Sequence, residues 1–319
     1  MGEFDLIDKY FKRPVTRNAL GIGDDCALLA PAAGMQLAVS SDMLVEGRHF
    51  LSTVEPSRLG HKALAVNLSD LAACGARPLA FTLALSMPQA DEAWLEPFSR
   101  GLLALADEYA CELVGGDTTR GPLTICITVF GEVPTGQALL RSGARAGDDI
   151  YASGTLGEAR LALEAFRGSV SLPVEAFQRA RARMEEPAPR VALGEALRGV
   201  ATAAIDVSDG LLGDLGHILR GSGVGARIDT ATAAGLMDPV CAAALDEDRR
   251  LEYALAGGDD YELLFTAPAS SRGAVQEAAR QAGTPVTRIG SIEAAAGLRL
   301  VDAAGQPLQR RYGSFDHFA

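Results

Sequence analysis

The sequence predicts a two-domain protein of the α/β (α+β) class, and three observations carry that expectation. Apolar runs with strand character alternate with amphipathic helical spacing in both halves of the chain. A length of 319 residues is long for one domain and comfortable for two. The Gly-rich stretch RSGARAGDD at 141–149 then leads into a fresh strand. This pattern puts a boundary near residue 138 and gives domains 1–138 and 139–319.

In the first half, QLAVSSDMLV at 36–45 begins as a strand and ends in polar residues. Residues 59–75 carry helical spacing through Leu64, Leu68 and Leu71, and Asn67 and Asp70, three apart, share a face of that helix. A second amphipathic helix covers 91–110, and LTICITVFGEV at 123–133 is a β-branched strand. Beyond the boundary, helices at 156–167, 175–185 and 190–198 precede the strand TAAID. The next helix runs from Ser208 to Leu219, with Leu211, Leu212, Leu215 and Ile218 on its apolar face. Strands at ARIDT and YELLFTAP, a helix near 270–282 and a strand near 297–302 complete the chain. LVGGD at 113–117 echoes LAGGD at 255–259, a match too short to establish a duplication. GSGVG at 221–225 follows a helix and precedes a strand, the reverse of a dinucleotide fingerprint.

Composition excludes several function classes. A net charge of −12 argues against nucleic acid or an anionic membrane as partner. Three lysines stand against 26 arginines, and no Gly-Lys pair occurs, so there is no Walker A loop. GxSxG is absent, and no histidine pair has zinc spacing. Five scattered cysteines without a CxxC pair, no basic apolar leader and no run of transmembrane length predict a cytoplasmic protein.

What remains is aspartate, repeated in short motifs with small flanking residues: GIGDDCALL, SSDMLVEGRHF, NLSDLAACGA, GGDTTRG, IDVSDG and GGDDYEL. Each has an ordinary reading. Asp24 and Asp25 could close a turn, Asp42 could cap a loop, and Ser208 or Asp209 could cap a helix. Asp70 is more telling, because aspartate is a poor helix former and here sits among Leu68, Leu71 and Ala72. Gathered carboxylates repel unless cations hold them, and hard oxygen ligands describe magnesium. Gly115 and Gly116 before Asp117 allow backbone to approach a phosphate closely, and the turn around Ser208 offers free N–H groups at a helix start. The expected class is a magnesium-dependent enzyme handling phosphates.

Taken in order, these motifs, with KALAVNLSDLAACGARP, the R-SGA-x-x-GD crossover, IDVSDGLLGDLGHI and the terminal YGSFDHF, resemble bacterial thiamine-monophosphate kinases from residue 3 to the C-terminus. The resemblance implies the two-domain fold of the aminoimidazole ribonucleotide synthetase superfamily, a homodimer built through N-terminal strands, and ATP with thiamine monophosphate as substrates. In that fold the first domain binds magnesium and ATP and the second completes the active site. It implies magnesium ligands at Asp25, Ser40, Ser41, Asp42, Asp70, Asp117, Asp206 and Asp209. ATP contacts fall on Gly116, Asp117, Arg141 and Ser208, and thiamine monophosphate meets His49, Asp259 and Phe315. Two positions depart from the family pattern. Asp259 replaces a common glutamate, shortening the carboxylate by a methylene, and Phe315 replaces a common tyrosine, losing a hydroxyl and keeping a stacking face.

A phosphate-monoester acceptor needs no general base, and none is assigned. Transfer is expected to be direct and in line. Two other functions keep the same residues: another ATP-dependent synthetase of the superfamily, or a non-catalytic nucleotide and divalent-cation binding module. The first lacks a reactive cysteine in an N-terminal Gly-rich segment, as selenophosphate synthesis wants, and the second binds ATP without turnover.

Overall fold

A computed structural model describes residues 2–18, 20–310 and 312–313. The chain divides into two compact units, residues 1–71 with 76–136, and residues 72–75 with 137–319. Both mix helices and strands, as the pattern predicts.

The N-terminal unit contains α1 (Glu3–Tyr10), β1 (Met35–Val45), α2 (Pro56–Ala73), β2 (Arg77–Met87), α3 (Glu92–Glu108), β3 (Glu112–Arg120) and β4 (Thr124–Pro134). Its four-stranded sheet has the order β1-β4-β2-β3. β4 is antiparallel to both its neighbours, whereas β2 and β3 run parallel, which requires the crossover helix α3 between them. The periodicity assigns no element to 77–87, yet β2 lies there with Leu79, Phe81, Leu83 and Leu85 buried. α2 starts on Pro56, whose fixed φ suits a first helical position, and buries Leu59, Leu64, Leu68 and Leu71. α2 and α3 meet backbone to backbone. A Cβ on Gly60 would lie 2.1 Å from the Phe98 carbonyl oxygen, and one on Gly101 only 1.8 Å from that of Ser57. No residue with a side chain fits at either crossing point.

The C-terminal unit contains β5 (Asp148–Ser153), α4 (Glu158–Phe166), α5 (Val174–Glu185), α6 (Val191–Ala196), β6 (Ala203–Asp206), α7 (Leu211–Ser222), β7 (Gly225–Asp229), α8 (Thr230–Ala234), α9 (Pro239–Ala242), α10 (Glu247–Ala256), β8 (Leu263–Pro268), α11 (Arg272–Gln281), β9 (Val286–Glu293) and β10 (Gly297–Val301). Its six strands take the order β10-β7-β9-β5-β8-β6, with only β10 and β7 parallel. The core over this sheet includes Ile150, Ile205, Leu211, Leu215, Ile218, Leu264 and Ile289.

Of the boundaries that differ from the sequence reading, two bear on the site. α7 begins at Leu211 rather than Ser208, because Gly210 takes φ +111 and holds 208–210 as a loop. Its inner face buries Leu211, Asp214, Leu215, Ile218 and Leu219, while Leu212 turns partly outward. β8 begins at Leu263 rather than Tyr261, because Asp259 and Tyr261 adopt φ values of +63 and +52. Among the described residues no helix is long and apolar enough to cross a membrane.

Candidate active site

Alternation along β1 puts Ser40 and Asp42 on the face that meets α2, and Val39, Ser41 and Met43 on the other. Ser40 Oγ donates to Asp70 Oδ2 at 2.5 Å. The Asp42 N–H donates to Asn67 Oδ1 at 3.1 Å, and Asn67 Nδ2 donates to the Ala63 carbonyl at 2.9 Å, one turn back in α2. Strand and helix thus bring three of the expected ligands, Ser40, Asp42 and Asp70, together. Burial, and then the charge of Asp70, push the Asp42 carboxyl up to about 6. A bound cation reverses both influences. Two carboxylates and a hydroxyl form an all-oxygen donor set, which fits magnesium.

The other N-terminal residues stand apart from this pair. The Ser41 hydroxyl lies on the opposite face, donating to the Ile127 carbonyl at 3.1 Å and lying 3.0 Å from Thr128 Oγ1. Asp24 and Asp25 are exposed, with the Asp25 N–H donating to the Asp24 carboxylate at 2.9 Å. Asp117 is exposed within β3, opposite Ala84 of β2. Gly116 has φ +148, and a Cβ there would lie 1.8 Å from the Leu83 carbonyl oxygen, so the close approach it permits here is to β2. Among the described residues no three His, Cys, Asp or Glu side chains gather as a metal cluster. His49 closes the turn after β1: the Val45 N–H donates to His49 Nδ1 at 3.0 Å, which leaves the ring proton on Nε2.

In the C-terminal unit two loops are stitched together. Asp206 ends β6, buried, and Ser208 and Asp209 follow. The Asp259 N–H donates to the Ser208 carbonyl at 2.7 Å, the Tyr261 N–H to the Val207 carbonyl at 2.9 Å, and the Val207 N–H to the Glu262 carbonyl at 2.8 Å. Gly258, at φ +71, has no room for a side chain, since a Cβ would sit 2.7 Å from the Ser208 carbonyl oxygen. The structure therefore brings Asp206, Ser208, Asp209 and Asp259 into one neighbourhood.

Buried acids hold these loops from behind, and the sequence reading gives none of them a role. Asp214 Oδ2 accepts the N–H groups of Ser208 and Asp209, each at 3.1 Å. Burial, then the charge of Asp209, push its carboxyl up to about 7 against the pull of those N–H groups. Asp260 accepts the Gly157 N–H at 2.9 Å, and burial with the charge of Glu158 keeps its carboxyl well above the usual range. Glu262 is fully buried and accepts from Ser153 Oγ at 2.5 Å and from Arg183 and Arg190, each at 2.7 Å. One signal for Asp214 was present in the sequence: it falls three residues after Leu211, on the apolar face of an amphipathic helix.

Arg141 is exposed. Burial lowers the His217 pKa, Arg220 and Arg141 lower it further, and Asp209 opposes them, so these four side chains share an electrostatic neighbourhood. A cavity of about 710 Å³ opens beside them, lined by Asp209, Leu212, His217, Arg220, Arg299 and Tyr312 among others. Phe315 lies outside the described residues.

Comparison with known proteins adds relatives to this geometry. Residues 23–133 match the family described as AIR synthase related protein, N-terminal domain, and residues 145–303 match its C-terminal domain. The thiamine-monophosphate kinase of Salmonella typhimurium is 48% identical over 328 aligned positions, spanning 100% of this chain and 98% of its own. That of Escherichia coli is 47% identical with the same coverage. Among solved structures, thiamine-monophosphate kinase from Stenotrophomonas maltophilia superposes with a TM-score of 0.83 at 48% identity, over 89% of this chain and 91% of that one. AaThiL complexed with AMPPCP and TMP superposes with a TM-score of 0.76 at 29% identity, over 91% and 89% of the two chains. The hydrogenase maturation protein HypE in complex with ATP has the same fold, with a TM-score of 0.78 at 20% identity over 98% and 95%.

Proposed function

The chain belongs to the thiamine-monophosphate kinase family, and from that premise we propose that it transfers the γ-phosphoryl group of ATP to thiamine monophosphate, giving thiamine diphosphate. The observation that carries the reading is the 2.7 Å bond from the Asp259 N–H to the Ser208 carbonyl. It joins the loop assigned to the nucleotide to the loop assigned to the acceptor.

The acceptor is a phosphate monoester whose second pKa of about 6 leaves it largely dianionic at neutral pH, so no general base is needed. The task of the protein is to hold two polyanions in line. Ser40, Asp42 and Asp70 would hold magnesium, and the family resemblance assigns Asp25, Ser41, Asp117, Asp206 and Asp209 as further ligands. Ser41 joins that set by family resemblance alone, its hydroxyl being engaged on the opposite face. When bound, magnesium screens the phosphates and neutralises the charge that develops in transfer. The family resemblance assigns the nucleotide to Gly116, Asp117 and Ser208, and to Arg141, whose guanidinium suits a bidentate phosphate contact. His49, whose Nδ1 accepts the Val45 N–H, is assigned to the acceptor. Asp259 offers its carboxylate to the cationic thiazolium, and Phe315 is assigned the stacking face. ATP as co-substrate suits a cytoplasmic enzyme, as the sequence reading expects.

The test is ADP release. It should require both thiamine monophosphate and magnesium, and binding of ATP without turnover in their presence would overturn the reading.

The same proposal includes a homodimer. β1 lies at the edge of its sheet and presents Leu37, Val39 and Met43, which are 45%, 59% and 55% exposed. An apolar edge of this kind is an association surface. Val39→Asp should convert a dimer to monomer in sedimentation velocity, and an unchanged dimer or a monomeric wild type would refute it.

A further inference from the structure

Helix α7 carries an acid where its pattern asks for an apolar residue. Asp214 shares the inner face with Leu211, Leu215 and Ile218 and is 3% exposed. A carboxyl in that position is destabilising unless its oxygens are hydrogen-bonded. Both of the bonds drawn to Oδ2 come from one place, the N–H groups of Ser208 and Asp209 at 3.1 Å. The Asp214 N–H itself donates to the Gly210 carbonyl at 3.0 Å, closing the first turn of the helix over the same loop. The residue at the N-cap is Gly210, which has no side chain to cap with. Asp214 is not that cap: from inside the helix it reaches back past Gly210 to the N–H groups of the two residues before it.

We propose that Asp214 is a positioning residue for the phosphoryl transfer: its carboxyl fixes the backbone of Ser208 and Asp209, and through the Ser208 carbonyl the backbone of Asp259. This inference rests on the kinase reading above. The chain of contacts is continuous. Asp214 holds the Ser208 N–H from one side, and the Ser208 carbonyl holds the Asp259 N–H on the other at 2.7 Å. Asp259 stands at φ +63, a conformation that a residue with a side chain keeps only when its surroundings impose it. Asp214 makes none of the assigned substrate contacts, so its influence runs through geometry alone.

The experiment compares Asp214→Ala, which removes the acceptor, with Asp214→Asn, whose amide oxygen can accept the same two N–H groups. Magnesium-free, nucleotide-free protein is followed by amide hydrogen exchange, and turnover is followed with ATP and thiamine monophosphate varied separately. In wild type the Ser208 and Asp209 amides should be protected from exchange without any ligand. In Asp214→Ala they, and the Asp259 amide, should exchange at least about tenfold faster while β6 and β8 keep their protection. The same variant should lose about tenfold or more in kcat/KM for ATP and for thiamine monophosphate alike, as one lost buried acceptor predicts. Asp214→Asn should stay within about threefold of wild type in each readout, since the accepting oxygen is kept. Unprotected Ser208 and Asp209 amides in wild type overturn the proposal whether or not Asp214→Ala folds. So does an Asp214→Asn variant as impaired as Asp214→Ala, or an Asp214→Ala variant with unchanged loop exchange. A wild type that shows the protection but no thiamine monophosphate turnover refutes the kinase reading instead.

Discussion

Asp42 in the N-terminal unit and Asp214 in the C-terminal unit begin from the same predicament. Each is pushed toward protonation by burial and by one neighbouring aspartate, Asp70 in the first case and Asp209 in the second. They part in what opposes that push. Backbone N–H groups of Ser208, Asp209 and Gly210 draw the Asp214 carboxyl back down, whereas burial and Asp70 both act on Asp42 in one direction. Relief for Asp214 comes from inside the chain. Relief for Asp42, on the proposed reading, comes from a cation. An acid whose oxygen is engaged by backbone N–H groups is suited to support, and an acid with nothing to oppose the push is suited to bind.

The largest effect that tests this contrast is on turnover. Asp42→Asn should reduce kcat by about three orders of magnitude, the loss of several kcal/mol of charge stabilisation in the transition state. In EDTA the same variant should melt no lower than wild type, because an amide does not repel Asp70. Near-normal turnover at saturating magnesium would remove Asp42 from the metal site, and a clear loss of melting temperature in EDTA would make it a support after all.

A smaller effect is expected where a supporting acid loses a partner. Arg190→Met leaves Glu262 with Arg183 and Ser153, and should lower unfolding free energy in urea by about 2 kcal/mol with or without magnesium. A loss that magnesium abolishes would place Glu262 among the binding acids.

The smallest concerns pH. Burial pushes Glu112 up, but the N–H groups of Thr16, Arg17 and Asn18, with the Thr16 hydroxyl, outweigh it and hold the carboxyl down to about 2. A depressed acid adds stability that is complete above its unfolded pKa of about 4.3 and is lost as pH falls from there through about 2. Glu112→Gln should therefore flatten the acid limb of a melting-temperature profile across that window. An unchanged slope would show that the loop over 16–18 is held by other contacts.

Much of this was legible beforehand, for identifiable reasons. β1, α2, α3 and β4 have clean periods; Asp42 falls where an apolar strand ends and Asp70 stands out inside an apolar helix, but it is the family resemblance, not the spacing, that puts both in one ligand set. β2 was not legible, because RPLAFTLALSM is an apolar run with Pro78 near its start, and only its place between β4 and β3 identifies it as a central strand. The sequence reading starts a strand at Tyr261, two residues early, since the left-handed conformations of Asp259 and Tyr261 come from tertiary bonds to Ser208 and Val207. Asp260 and Glu262 look like further members of an acidic motif. Their burial under Gly157, Arg183 and Arg190 depends on partners more than 70 residues away along the chain.

Gly60 and Gly101 give the N-terminal unit a property of a different kind. α2 carries Asn67 and Asp70, so the depth at which those groups reach β1 is set by how closely α2 lies on α3. Two hydrogen atoms, one on each glycine, are the spacer. A methyl at either position would lever the helices apart by a displacement on the order of an ångström, and the motion would arrive at Asp70 some two to three turns along the rod. The alignment of the acids is thus calibrated at a distance from them, by atoms that are not there.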